Sequence, residues 1–401
     1  MGRKTKNKAE YSSDGKTLIR CPLTYEGIFE IPSGVLTISE KAFFGCQLLT
    51  GVKIPNSMEQ ISNSAFMECS ELSFIEFEKG SRVAVIGESA FSGCRKLEKI
   101  EIPEGITEIK PRTFQECTYL EDVVIPDGVV GIADEAFCRC TNLKTVTIPN
   151  TVTVIGKDAF CSCASLMEIS IPDSVERIDT GAFNSCASLT RVSFGSESHL
   201  KHIRKNAFVN CYRLVSINIP GSLEFIATRA FMGCDSLKSL FIPSCVDQME
   251  PEIAALCNMD FVFYLESEPN INWPPEWNHM GGHTSPPLED SIASVQYHTP
   301  RWWYEKFVTP KAINQNLIRT SSLDDDYARE KMKEFILETD KVLYLRSGWE
   351  WRGTGREEVT KERMMEVIDS IGDAKQQENR HMEIIEYDDA VLANVYIHNP
   401  F

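Results

Sequence analysis

The sequence predicts a repeat solenoid, mostly β with parallel stacked strands, followed by a small α+β C-terminal region. Three observations carry that prediction. Cysteine recurs at 46, 69, 94, 117, 140, 163, 186, 211, 234 and 257, in steps of 23 residues apart from two of 25. A Phe sits three residues before nine of these cysteines (Phe43 to Phe231), and a Leu three residues after the same nine (Leu49 to Leu237). Beyond Leu265 the period stops, and all six Trp of the chain lie there. Self-similarity at a period of 20–50 residues is the signature of stacked repeats.

Each element follows in order. Residues 1–10 are basic and polar and read as a flexible N-terminus. Within 11–32, Thr17–Cys21 and Gly27–Ile31 are strand-like and predict an N-terminal cap hairpin. Residues 33–268 form the solenoid, about nine repeats and a degenerate cap. Its unit is A-F-x-x-C-x-x-L-x-x-[VI]-x-[IF]-P-x-x-V-x-x-I, cleanest at Ala136–Ile155. The segment around Val146-Thr147-Ile148 alternates as a strand, and the next Pro, which has no N–H to give a ladder, ends it. The V-x-x-I segment returns along the opposite wall, and the A-F-x-x-C turn closes the coil with Phe inside. Coils spaced at about 4.8 Å give nine of them a length on the order of 45 Å.

Both 25-residue steps fall where Phe77-Glu78 and Phe194-Gly195 replace Ile-Pro. Two residues are added there, and Val83, Ile86, Leu200 and Ile203 regain register, as a solenoid loop permits. At the far end Ala254 occupies the Phe slot and Asp260 the Leu slot, while Phe263 and Leu265 keep the strand slots. Decay of this kind fits a capping repeat.

These motifs resemble the BspA-like (Treponema pallidum-type) leucine-rich repeat over about residues 11–265. The lead-in Tyr11-Ser12-Ser13-Asp14-Gly15-Lys16-Thr17-Leu18 is similar to the start of such arrays. The resemblance implies a curved solenoid, a binding role that is often surface adhesion or host-protein binding, no catalytic residues and no cofactor.

Composition limits the partners. The chain has 401 residues, 41 Lys+Arg against 58 Asp+Glu, and a net charge of −17. That charge disfavours nucleic acid, anionic membranes and tight self-association, so the expected partner is another protein and the expected state a monomer. No apolar run is long enough to span a membrane. The N-terminus shows no apolar leader, and a ladder of free thiols suits a reducing compartment, so the expected location is intracellular, with the cell surface as the alternative. The cysteines read as one buried thiol per coil. Cys138/Cys140 and Cys161/Cys163 are C-x-C pairs in adjacent coils, which leaves disulfide or metal readings open there.

The candidate binding surface is the outward face of the longer strands: Lys99, Glu101, Asp122, Thr145, Thr147, Glu168, Ser170, Arg191, Ser193, Ser216, Asn218 and Phe241. Its first half is charged and its second small and polar, as suits recognition of a protein or glycan.

Residues 269–300 read as a Pro/Gly/Trp connector in which Trp273–Trp277 packs on the last coil. Residues 301–401 read as the α+β region. Its expected elements are a helix over 327–339 behind Asp324–Asp326, a strand over 341–346, a helix from a Thr360 cap to about 371, and strands at 384–387 and 390–397. A Gly-rich loop over 348–356 places Trp349, Trp351, Arg352 and Arg356 together as a second candidate site for a phosphate or peptide, although it lacks a phosphate-loop motif. His279 and His283, separated by Gly281-Gly282, do not share a helix face. The expected function is a non-enzymatic protein-interaction scaffold. Alternatives are an enzyme or effector acting through the C-terminal region, and a surface adhesin.

Overall fold

A computed structural model of the chain describes residues 8–257, 261–274, 277–278, 294–296, 317–319, 333, 336, 342–349, 356–366, 379–386 and 390–398. The chain divides into two units: 1–261 with 269–293, and 262–268 with 294–401.

The first unit is the solenoid. Each coil places its repeated apolar residues inside. Phe43, Phe66, Phe91, Phe114, Phe137, Phe160, Phe183, Phe208 and Phe231 are fully buried, as are the ladder cysteines from Cys46 to Cys234 and the Leu slots from Leu49 to Leu237. The Phe rings stack along the axis. Phe137 and Phe160 lie 5.2 Å apart and 2° from parallel, and Phe183 and Phe208 lie 5.3 Å apart at 3°. The coil spacing is therefore set jointly by strand pairing, at about 4.8 Å, and by ring contact.

Three walls surround that core. Short strands make the first: Thr37–Ile38, Gln60–Ile61 and Val85–Ile86, then Gly131–Ile132 through Gln248–Met249, each parallel to the next. Both two-residue insertions are absorbed: Ile61 pairs with Ile86 and Ile178 with Ile203, and Val83, Ile86, Leu200 and Ile203 are buried. Longer strands make the second wall, from Gly27–Glu30 through Leu49–Ile54 and Phe74–Phe77 to Ser216–Ile217. Isolated bridges from Phe74 to Lys99 and from Lys99 to Asp122 carry it through the fourth coil.

The Phe turn is the third wall, and it is held by a backbone ladder of its own. In the coil of Phe137, the N–H groups of Glu135, Phe137 and Arg139 donate to the carbonyls of Lys157, Ala159 and Cys161. The same three bonds recur from the coil of Phe43 to that of Phe208. To aim those N–H groups along the axis, residues two before and two after Phe adopt left-handed backbone. Sixteen such residues among those described are not Gly, including Ser64, Glu68, Glu135, Arg139 and Ser162. None is β-branched, in keeping with the steric cost of this region. Where Gly fills the position, as at Gly181 with φ of 66°, that cost is absent.

The ladder cysteines complete the turn. Cys140 donates its S–H to the Phe114 carbonyl at 3.1 Å, Cys163 to Phe137 at 3.3 Å and Cys186 to Phe160 at 3.2 Å. Each thiol thus ties one coil to the one before while filling the core as a small apolar group. Burial pushes the ladder thiols from Cys69 to Cys234 up, Cys211 to about 12, so they stay protonated at neutral pH.

The chain ends of the array differ from expectation in one respect. Thr17–Arg20 and Gly27–Glu30 do not pair as a hairpin. They lie on different walls and run parallel to Thr37–Ile38 and Leu49–Ile54, so they form a first coil. The hairpin is a smaller one, Glu10–Tyr11 against Thr17–Arg20. At the other end Ala254 fills the Phe slot, buried, and Asp260 lies outside the described residues. The Trp273 indole donates to the Val246 carbonyl at 3.2 Å, and Asn270 and Asn272 both donate to Asp247 at 3.1 Å. Trp277 is buried, with its ring 5.2 Å from that of Trp273. This segment packs on the last coil, as the aromatic content suggested.

In the second unit, Val262–Leu265 pairs in parallel with Ser294–Gln296, inside the stretch expected to be a connector. Phe263 and Leu265 are buried. A five-stranded sheet has the order Leu317–Arg319, Asn379–Glu386, Ala390–His398, Val342–Trp349, Arg356–Val359. Its neighbours are antiparallel, except that Val342–Trp349 runs parallel to Ala390–His398. Residues 361–366 are helical, and the Arg363 N–H donates to Thr360 Oγ1 at 3.2 Å, the expected cap. Of the helix expected over 327–339, Lys333 and Ile336 are described, and both are helical. Asp324–Asp326, His279 and His283 lie outside the described residues.

Candidate functional site

The longer-strand wall presents rows of outward side chains at fixed register. Strand pairing aligns Lys99, Asp122 and Thr145 in one row, and Glu168, Arg191 and Ser216 in its continuation. Thr147 lies beside Val124, and Ser170 beside Ser193, in the second row. Lys99, Glu101, Asp122, Thr145, Thr147, Glu168, Ser170 and Arg191 are exposed. Ser193, Ser216 and Asn218 are half-buried.

Phe241 is a correction. It is fully buried, and Leu240, Phe241 and Ile242 of Ser239–Ile242 are buried in succession. Alternation predicts an outward side chain only where one face of a strand meets water; here both faces are covered. The usable face therefore fades toward the C-terminal coils.

Side chains on this face hold one another in place. The Thr145 hydroxyl donates to Asp122, and Thr190 Oγ1 to the Met167 carbonyl at 3.0 Å. Lys144 pairs with Glu121 and Lys53 with Glu30, each at 2.9 Å. At the N-terminal edge the Phe74 ring lies where a Cβ on Gly51 would be, so Gly51 is the residue that lets the ring cover the strand.

Between Lys99 and Arg191 two apolar groups on this face stand out among the polar ones, Val124 at 65% exposed and Met167 at 55%, and Val215 follows in the Met167 row at 44%. None of them is among the candidate residues read from the sequence. Met167 occupies the position just after the repeat Leu, a third outward row. The available signal was an apolar residue where other coils carry Glu98, Glu121 or Lys144.

The face is also divided. Asp122–Val124 pairs with Thr145–Thr147, and Glu168–Ile171 with Arg191–Phe194, but these belong to separate sheets. The Lys144 and Thr190 N–H groups each donate to the preceding coil at 2.7 Å, to Glu121 and Met167. Among the described residues no matching bond joins Met167 to Lys144. Val146, expected inward, is correspondingly half-buried.

The second candidate site is rearranged. Trp349 and Arg356 are not in a loop: Trp349 ends a strand opposite Ile397, and Arg356 begins one opposite Arg346. The nine-residue strand Ala390–His398 gives Val342–Trp349 a partner along its whole length, which draws Gly348 and Trp349 into the sheet. Trp351 and Arg352 lie outside the described residues. Among the described residues, no group of three or more His, Cys, Asp or Glu could hold a metal ion. No helix among them is long and apolar enough to cross a membrane.

A family model for the BspA type leucine-rich repeat region, in six copies, matches residues 20–144 and 130–260. The chain belongs to that family. Among solved structures, this BspA-type protein is similar to a leucine-rich cell surface protein of Faecalibacterium prausnitzii. The two are 23% identical over 76% of this chain and 96% of that one, with a TM-score of 0.37. A leucine-rich repeat protein of Bacteroides ovatus is 20% identical over 68% of this chain and 89% of that one, with a TM-score of 0.40. The T. pallidum leucine-rich repeat protein is 25% identical over 58% and 88%, with a TM-score of 0.31. No curated protein matches the chain.

Proposed function

We propose that this protein is a non-enzymatic interaction module that binds another protein through the longer-strand face between Lys99 and Arg191. One observation carries the reading: two exposed apolar groups, Val124 and Met167, stand among short hydroxyl and charged side chains on an ordered β wall. Apolar anchors ringed by polar groups are the usual anatomy of a protein interface. Short Ser and Thr side chains lose little rotamer entropy on binding. The net charge of −17 favours a protein over nucleic acid as the partner. Buried protonated thiols suit a reducing compartment, and we place the protein inside the cell on that ground.

The test is affinity capture with the full chain. Thr147→Arg, Ser170→Arg and Ser193→Arg together are expected to abolish retention of the partner that the wild type retains. Thr153→Arg with Glu176→Arg, on the short-strand wall, is expected to leave it unchanged. Equal retention by the face variant would move the site elsewhere.

A further inference from the structure

Outside the core ladder, one pair of cysteines occupies the same repeat slot in adjacent coils. That slot, one residue after the repeat Phe, holds Phe44, Met67, Ser92, Gln115, Cys138, Cys161, Asn184, Val209, Met232 and Ala255 in turn. Only Cys138 and Cys161 are thiols there. Backbone bonds set their register: the Phe137 N–H donates to the Ala159 carbonyl and the Arg139 N–H to the Cys161 carbonyl, both at 2.7 Å. Cys138 is thus held directly opposite Cys161. The rings beside them stack at 5.2 Å, and a disulfide needs Cα atoms about 4.4–6.8 Å apart. The coil spacing that these rings report lies within that range.

We propose that Cys138 and Cys161 form an oxidisable dithiol, a modification site at which hydrogen peroxide closes a covalent bond between two coils. Cys161 is the attacking sulfur because it is half-buried, whereas Cys138 is buried. The neighbouring Cys138 thiol lowers Cys161 to about 7; Ser162 and the Arg139 charge act in the same direction, while burial and Asp158 oppose them. Cys138 is raised by the neighbouring Cys161, by burial and by nearby Cys163 and Glu135. The Cys161 thiolate attacks one peroxide oxygen, the O–O bond breaks, and the leaving hydroxide takes a proton to become water. Cys138 then displaces hydroxide from the resulting sulfenic acid, its thiol proton completing the second water. Two thiols lose two electrons and the peroxide gains them. The ladder thiols from Cys69 to Cys234 do not compete, being buried and held protonated. Cys21 and Cys46 also interact, but both are buried.

The location gives the bond a consequence. These are the two coils between which the longer-strand face is divided, so oxidation staples them on the wall that is already continuous.

The full chain is treated with hydrogen peroxide, alkylated and mapped by mass spectrometry. A Cys138–Cys161 cross-link is expected before any ladder cysteine is lost to alkylation. Cys138→Ser should instead leave Cys161 as a trappable sulfenic acid, and Cys245→Ser should leave the cross-link intact. In untreated wild type, iodoacetamide should label Cys161 at least about tenfold faster than Cys163, as thiolate character and access dictate. Labelling of Cys161 no faster than Cys163, no cross-link in folded wild type, or no sulfenic acid in Cys138→Ser would each overturn the proposal.

Discussion

The turn wall and the longer-strand wall belong to the same coils, yet they hold together differently. On the turn wall three backbone bonds per step, a stacked Phe and a Cys S–H link each coil to the next from the coil of Phe43 to that of Phe231. On the longer-strand wall the ladder thins to isolated bridges at Lys99 and is interrupted between Thr147 and Glu168. The contrast separates two jobs. Cohesion lies where the repeat is invariant, because each buried slot must match its neighbours above and below. Variation is tolerated on the outward strand positions, which touch solvent, and these are the positions with the chemistry to recognise a partner.

If the thiols of the turn wall are held as neutral donors, alkali should break the fold first. From Cys69 to Cys234 the folded-state values of the ladder thiols are raised, Cys211 to about 12 from an ordinary 9.0. Their contribution is then fully present below about pH 8.5, where unfolded thiols keep their protons, and is lost as pH rises toward 12. A circular-dichroism pH titration should show cooperative loss of structure in that window. A flat trace to pH 12 would mean that the thiols do not hold the coils.

Removing one ring from the stack is the next largest effect. Phe160→Ala, or equally Phe137→Ala, should cost about 3–5 kcal/mol in denaturant unfolding, by lost burial and a residual cavity. Wild-type stability in either variant would put the Phe ladder outside the core. Cys163→Val keeps an apolar side chain but removes the S–H donated to Phe137. Its expected cost is about 1 kcal/mol, the usual worth of one hydrogen bond. The smallest effect has the opposite sign: Lys41 has φ of 58°, and Lys41→Gly should raise stability by about 0.5–1 kcal/mol by relieving left-handed backbone. Destabilisation instead would show that the Lys41 side chain does more than its backbone costs.

Most of the solenoid was legible in the sequence because one inward pattern is written nine times, so each copy checks the others. The register of Val83 and Leu200 after the insertions could be read for that reason. Phe241 could not, since alternation reports which side a residue faces and not whether that side is covered. The first coil was taken for a hairpin because Thr17–Arg20 and Gly27–Glu30 look alike as strands, and their pairing to later coils is non-local. The left-handed residues were hidden because Lys41, Glu68 and Arg139 carry no sequence mark of positive φ. On the candidate face the eight exposed positions from Lys99 to Arg191 followed from period two alone, whereas Met167 sits outside that alternation. In the C-terminal region Trp349 was assigned to a loop on its Gly neighbours, and the partner strand that extends it could not be seen locally.

Amide hydrogen exchange on the full chain tests the difference between the two walls most directly. The account predicts that the N–H groups of Phe137, Arg139 and Phe160 are the slowest to exchange, and that Met167 exchanges much faster than its counterparts Lys144 and Thr190. Equal protection of Met167, Lys144 and Thr190, or a turn wall that exchanges before the strand face, would contradict it.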